Sequence, residues 1–155
     1  MIYLLDVNVL IALGYATHVH HSLAEWWLTE RKREHGAELQ LVTCAITELG
    51  FVRIAGGQAS LAESVSCARD DLRRLKAKEK MRLVGDDLGT ERLPRWVTQP
   101  KQTTDGHLVA LSAKHNARFA TLDSGVPGAE LISDAANPPW VVRDVITAHG
   151  LAAWH

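Results

Sequence analysis

Cysteine is scarce in this 155-residue sequence, and the two present, Cys44 and Cys67, have no CxxC spacing. Both fall in helix-like patterns, where a buried free thiol is expected, and such usage suits a reducing compartment. Long hydrophobic runs are also missing. Residues 9–13 are among the longest, far short of the ~20 that span a bilayer, so no transmembrane helix is expected. Residues 1–12 are apolar but lack a basic leader and carry Asp6 where a signal peptide would have its hydrophobic centre, which predicts a cytoplasmic protein. An excess of one charge is absent as well: 17 basic against 18 acidic residues give a net charge of −1, not the global signature of a nucleic-acid binder. Basic residues concentrate only within 69–82, as Arg69, Arg73, Arg74, Lys76, Lys78, Lys80 and Arg82 against Asp70, Asp71 and Glu79. That run is the best candidate for a local patch that could hold nucleic-acid phosphates, although taken alone a solvated helix face is the commoner reading. Internal repeats, low-complexity tracts and linkers rich in Pro, Gly or Ser are lacking too, so residues 1–155 are expected to form one domain.

What is present is an ordinary apolar content of 46%, in a chain long enough to bury roughly two-thirds of its unfolded surface. Such a chain folds without a metal or disulfide staple, so any metal it binds serves chemistry. Residues 2–5 form a short apolar run ending at Asp6, the pattern of a buried strand. Residues 7–13 read as a helix. Leu23, Ala24, Trp27 and Leu28 trace a second, amphipathic helix over 21–33 that Gly36 stops. A strand over 39–43 follows, then a helix through Ile46, Leu49 and Val52 until Gly56-Gly57. Ser60 with Glu63 predicts a capping box opening a helix faced by Leu61, Val65, Ala68, Leu72 and Leu75. Residues 81–84 suggest a third strand, and 85–101 a loop. Thr104 is expected as the N-cap of a helix over 105–115 with Asn116 as its left-handed stop. A strand over 117–122 ends at Asp123, an edge strand covers 130–132, and a last helix follows Pro138-Pro139 and ends at Gly150. Alternating strands and helices predict an α/β fold with a central parallel sheet covered on both faces.

In such a sheet, ligands gather outside the carboxyl ends of the strands. Asp6 and Asp123 each follow a strand there, while Glu48 and Asp105 lie early in helices that begin at the same edge. Two like charges 4 Å apart repel by about 4 kcal/mol at an effective dielectric near 20, so four converging carboxylates call for a cation. All-oxygen ligation favours Mg²⁺, with Mn²⁺ as the alternative. Such a site supports phosphodiester hydrolysis, because the ion activates water and stabilises charge on the attacked phosphate. Glu48 and Asp105, each taken singly, could instead favour the positive end of a helix. Asp6, between Leu4-Leu5 and Val7, has no such inexpensive structural explanation.

Four segments resemble the PIN-domain ribonucleases, and among them the VapC toxins of toxin–antitoxin pairs. They are Leu4-Leu5-Asp6-Val7-Asn8-Val9-Leu10-Ile11-Ala12, Thr47-Glu48-Leu49-Gly50, the stretch from Thr103-Thr104-Asp105 to Ser112, and the stretch from Ala117 to Thr121-Leu122-Asp123. The resemblance implies a PIN-like three-layer α/β/α fold and a metal-dependent endoribonuclease whose acids match Asp6, Glu48, Asp105 and Asp123. Asn8 and Thr104 would be polar helpers, Asn8 orienting Asp6 or water or else capping the helix that follows. Asp6 and Asp105 are the first choices for direct metal contact. An RNA substrate, tRNA or rRNA among the candidates, a homodimer and a cognate VapB-type antitoxin are implied as partners. An antitoxin Arg would suit a carboxylate cluster, with which its planar fork pairs bidentately.

Other features have simpler readings. His18, His20 and His21 cluster beside the expected site, but exposed loop histidines or helix-start contacts explain them better than zinc does, with contact to RNA phosphate as a third reading. Asp86-Asp87, followed by Leu88-Gly89, reads as turn chemistry. The tryptophans, Trp26, Trp27 and Trp96 among them, read as core packing before interface anchors. Two rival functions remain on the sequence: a PIN-fold scaffold that binds RNA or protein without turnover, and an acidic-pocket phosphatase. Asn8 stands where an aspartyl-phosphate enzyme often has a second Asp, which counts against the latter.

Overall fold

In the computed structural model, which describes residues 1–134, the apolar run Ile2–Leu5 becomes the central strand of a five-stranded sheet. The strands are β1 (Ile2–Leu5), β2 (Gln40–Thr43), β3 (Arg82–Leu83), β4 (Arg118–Thr121) and β5 (Glu130–Leu131). All pairings are parallel, in the order β3-β2-β1-β4-β5, with Leu4 level with Val42 on one side and Phe119 on the other. The helices are α1 (Val7–Gly14), α2 (His21–His35), α3 (Ala45–Gly56), α4 (Val65–Glu79) and α5 (Thr103–Lys114).

Alternation along β1 explains why both sheet faces are covered. Tyr3 and Leu5 project into a core built with Leu10, Leu28, Phe51 and Leu72 from α1 to α4, while Leu4 joins Val42, Phe119, Leu108 and Leu111 on the α5 side. A strand apolar on both faces needs a layer on each, since burying one such side chain is worth roughly 1.5–3 kcal/mol. The result is the expected three-layer α/β/α architecture. Gly50 brings α3 against α1: a Cβ there would stand 2.6 Å from Val7 Cγ2. Among the described residues no helix is long and apolar enough to cross a membrane.

Several expectations shift. The helix predicted from Ser60 begins at Val65, with Ser64 as its N-cap accepting from the Cys67 N–H at 3.1 Å. Residues 58–61 instead form turns, with Leu61 packed on the core outside any helix. Gln102, not Thr104, caps α5, because a 3₁₀ turn over Pro100–Gln102 feeds straight into Thr103. Thr104 is exposed in the first helical turn. Cys44 is buried, but at the N-cap of α3, and Cys67 is exposed. Asp86 and Asp87 form no turn; they tie the segment after β3 to α5, through His107 at 2.8 Å and through Lys114. Asn116 does stop α5 with φ of 53°. The helix expected after Pro138-Pro139 lies outside the described residues.

The basic run on and after α4 does not form one face. Arg73 pairs with Asp70, Arg74 with Asp71, Lys76 with Glu48, and Lys78 with Glu25 and Glu79. Arg69, Arg73 and Lys76 edge an apolar groove floored by Leu49, Val52 and Leu72, whereas Lys78, Lys80 and Arg82 line a separate cleft at the amino edge of the sheet.

Candidate active site

The sheet order reverses direction at β1. The chain runs outward from β1 to β2 and β3, then returns to place β4 on the other side. A crevice forms at such a switch point, outside the carboxyl ends of the two strands. Asp6 and Asp123 stand at those two ends. Asp6 extends the ladder by donating its N–H to Ala120 O at 3.0 Å, and, against the expectation that it has no inexpensive structural role, it also caps α1, its Oδ1 accepting from the Val7 N–H at 2.7 Å.

A cleft of about 330 Å³ opens here, lined by Asp6, Val7, Asn8, Ile11, His18, Ile54, Asp105 and Asp123. Three carboxylates thus come together from β1, the first turn of α5 and the end of β4. Burial, relieved in part by hydrogen bonds from Thr121 and Val7 but reinforced by the charge of Asp123, raises the pKa of Asp6 above the ordinary aspartate value. Burial first, and then the charges of Asp6 and Asp123, also raise that of Asp105. No hydrogen-bond partner meets the Asp105 carboxylate among the described residues.

Thr121 organises the pair of strand ends, and sequence reasoning did not single it out. Its fully buried hydroxyl donates to Asp6 Oδ2 at 2.6 Å and accepts from the Asp123 N–H at 3.1 Å. Asn8 completes the network. Its Nδ2 donates to Thr121 Oγ1 at 3.4 Å, and its Oδ1 accepts from the Leu122 N–H at 3.3 Å, so Asn8 clamps α1 to β4 while Asp6 takes the capping role. Asp123 Oδ1 accepts from the Gly125 N–H at 2.7 Å, which orients that carboxylate. The signal for Thr121 lay in its position, a hydroxyl residue ending a buried strand two residues before an acid.

Glu48 and Thr104 do not line this cleft. Glu48 Oε1 accepts from Thr43 Oγ1 at 2.6 Å and pairs with Lys76, and the residue borders the neighbouring groove. His18, expected to be exposed, is half-buried and lines the cleft. His20 is exposed, as expected of a loop histidine. Trp27 packs in the core with its Nε1 donating to Glu130 at 2.8 Å, and Trp26 and Trp96 pack partly buried beside the two cores.

Residues 3–129 match the PIN domain family. Among curated relatives, Ribonuclease VapC38 of Mycobacterium tuberculosis is 36% identical over 129 residues, covering 79% of this chain and 86% of that protein. Ribonuclease VapC29 of the same organism is 34% identical over 139 residues, covering 88% and 95%. Ribonuclease VapC44 is 37% identical over 136 residues, covering 81% and 92%. Among solved structures, that of M. tuberculosis VapC20, a sarcin-ricin loop cleaving toxin, superposes with a TM-score of 0.55 at 13% identity. The match covers 80% of this chain and 92% of that one, and it supports the fold.

Proposed function

The chain belongs to the PIN-domain family and, within it, to the VapC ribonucleases, and from that premise we propose that it hydrolyses RNA at the cleft of Asp6, Asp105 and Asp123 with a divalent cation held there. As a VapC-type toxin the protein is an endoribonuclease that acts on RNA and is paired with a VapB antitoxin.

One observation carries the metal reading: three carboxylates from separate segments share one cleft, and two of them are held above their ordinary pKa by burial and mutual repulsion. A site with negative charge to spare is one that a cation stabilises. Among the described residues no group of three or more His, Cys, Asp or Glu is gathered closely enough to hold a metal ion, so the metal reading rests on the shared cleft and its charge. The all-oxygen donor set suits Mg²⁺ or Mn²⁺ over softer ions, and Mg²⁺ binds through one or two carboxylates and keeps several waters. When bound, such an ion acidifies water and stabilises charge on a phosphate.

Asp6 and Asp105 are the proposed direct ligands. Thr121 holds one Asp6 oxygen and the Val7 N–H holds the other, so this carboxylate keeps one orientation toward the cleft. Asp123, fixed by Gly125, is proposed to accept a proton or orient water beside them. Asn8 clamps α1 to the end of β4. Glu48 and Thr104 complete the proposed residue set from outside the cleft, Glu48 with its charge balanced by Lys76 and Thr104 as an exposed hydroxyl in the first turn of α5, next in sequence to Asp105. We assign the whole of 1–155 to one domain, its location to the cytoplasm and its assembly to a homodimer. The substrate is single-stranded or loop RNA, with tRNA and rRNA as the classes to test. An antitoxin Arg would silence the cleft by pairing with its carboxylates.

The test is cleavage of a mixed RNA pool with Mg²⁺ or Mn²⁺ by the wild type, Asp6→Asn and Asp105→Asn. The wild type is expected to cut and both variants to lose activity by at least about a hundredfold, the scale of removing one strong electrostatic contact to the transition state. Equal cutting by all three would remove this cleft from the mechanism. Sequencing the new 5′ ends after brief expression identifies the RNA.

A further inference from the structure

The loop between α1 and α2 carries three histidines, and one of them faces the acids. His18 lines the cleft, whereas His20 is exposed and His21 turns back, its Nδ1 2.7 Å from Ala12 O. The loop is pinned at both ends. His18 N–H donates to Tyr15 O at 3.0 Å, His21 N–H donates to His18 O at 2.9 Å, and Ala24 N–H donates to His20 O at 3.0 Å.

The His18 ring is oriented from within this loop. The backbone N–H of His20 donates to its Nδ1 at 3.2 Å. A ring nitrogen that accepts a hydrogen bond carries no proton, so the proton of the neutral imidazole sits on Nε2. That nitrogen has no protein partner among the described residues. The cleft has need of such a donor, because its three carboxylates accept only and Val7, Ile11 and Ile54 are apolar. Asn8 is already engaged by Thr121 and Leu122.

We infer that His18 is a substrate-positioning residue whose neutral Nε2–H donates a hydrogen bond to a phosphate oxygen of RNA entering the acidic cleft. The assignment rests on the reading of this cleft as the RNA-cleaving centre. A neutral donor is the suitable one. Lys or Arg at the same place would bring a full positive charge that pairs with the carboxylates and competes with a metal ion, while a neutral imidazole adds a donor without that charge. Burial, and then the neighbouring His20 and His21, lower the His18 pKa, which favours the neutral ring.

The experiment compares wild type, His18→Phe and His18→Gln on an RNA oligonucleotide at saturating Mg²⁺, with Mn²⁺ affinity and thermal unfolding measured alongside. Phe keeps a planar ring and removes the donor; the Gln amide returns an N–H near the Nε2 position. Loss of one hydrogen bond to a charged group predicts that His18→Phe raises KM about tenfold with kcat within about twofold, and that His18→Gln recovers most of KM. Mn²⁺ affinity and the unfolding midpoint are expected to match the wild type in both variants. An unchanged KM in His18→Phe, a fall confined to kcat, no recovery with Gln, or a parallel loss of Mn²⁺ affinity would each overturn the inference. Failure of the broader reading looks different: the wild type itself would leave RNA uncut. In that event fluorescence anisotropy with the same oligonucleotide decides, and equal affinity of wild type and His18→Phe overturns the contact.

Discussion

The hydroxyl of Thr121 donates to Asp6 Oδ2 at 2.6 Å, joining two residues 115 positions apart at the carboxyl ends of adjacent strands. The contact is fully buried on the Thr121 side and serves two acids at once, since the same oxygen accepts from the Asp123 N–H. It makes the geometry of the cleft a property of the β1–β4 pairing.

Thr121→Val keeps the shape and removes this hydroxyl, leaving a buried carboxylate oxygen and the Asp123 N–H short of a partner. A hydrogen bond to a charged group is worth roughly 1.5–3 kcal/mol, so urea denaturation at pH 7 is expected to show a loss of about 2 kcal/mol. Thr121→Ser should retain most of the stability. A Val variant with the wild-type urea midpoint would show that the hydroxyl contributes nothing.

Asp105 gives a prediction with a definite sign. Its pKa is raised in the folded state by burial and then by Asp6 and Asp123, so the fold binds its proton more tightly than the unfolded chain does. The stability contributed by the protonated form is fully present below the ordinary value of 3.8 and is lost as pH rises through the raised folded value. Asp105→Asn, always neutral, is therefore expected to be more stable than wild type at pH 7 without divalent ions and to converge with it near pH 3. Adding Mg²⁺ or Mn²⁺ should raise the melting temperature of the wild type and not that of the variant, by the linkage of binding to folding. A melting difference that does not change with pH would rule out charge repulsion as its source.

These three acids were legible in the sequence because each stands beside a strong local signal, the end of an apolar strand or the first turn of a helix. Glu48 satisfied the same rule, yet its carboxylate faces Thr43 and Lys76. Position along the chain placed it at the right sheet edge but could not report a lysine from α4, 28 residues away. The start of α4 was misread for a related reason. Ser60 and Ser64 both offer a capping hydroxyl, and Leu61 has the right spacing to continue the helical face, so only the packing of Leu61 as a turn residue separates the two. His18 was undervalued because loop histidines are commonly solvent-exposed and nothing local records which way such a loop folds.

Glu48→Gln is expected to lower RNA cleavage about tenfold or less, well short of the hundredfold or greater loss for Asp6→Asn, because its charge is already balanced by Lys76 and it lies outside the cleft of the three aspartates. Initial rates at fixed Mg²⁺ for the two variants, side by side, make the comparison. Equal losses would mean that Glu48 leaves Lys76 during turnover and acts as a fourth member of the acidic group.

Gly106 follows Asp105 in the first turn of α5, where two effects of opposite sign compete. Helix propensity alone favours Ala over Gly by about 1 kcal/mol. A Cβ at this position would, however, stand 2.2 Å from Val97 Cγ2 and 3.4 Å from Pro94 Cδ. Overpacking of this kind costs roughly 1–3 kcal/mol, so the clash is expected to win and Gly106→Ala to destabilise by about 1 kcal/mol. The strain falls beside Asp105, so activity should decline with stability. Val97→Ala removes the obstructing methyls. In that background Gly106→Ala should become stabilising, and the double variant should regain the activity of Val97→Ala. A double-mutant cycle by chemical denaturation measures this reversal directly. If Gly106→Ala has the same sign in both backgrounds, the glycine is not there to admit Val97.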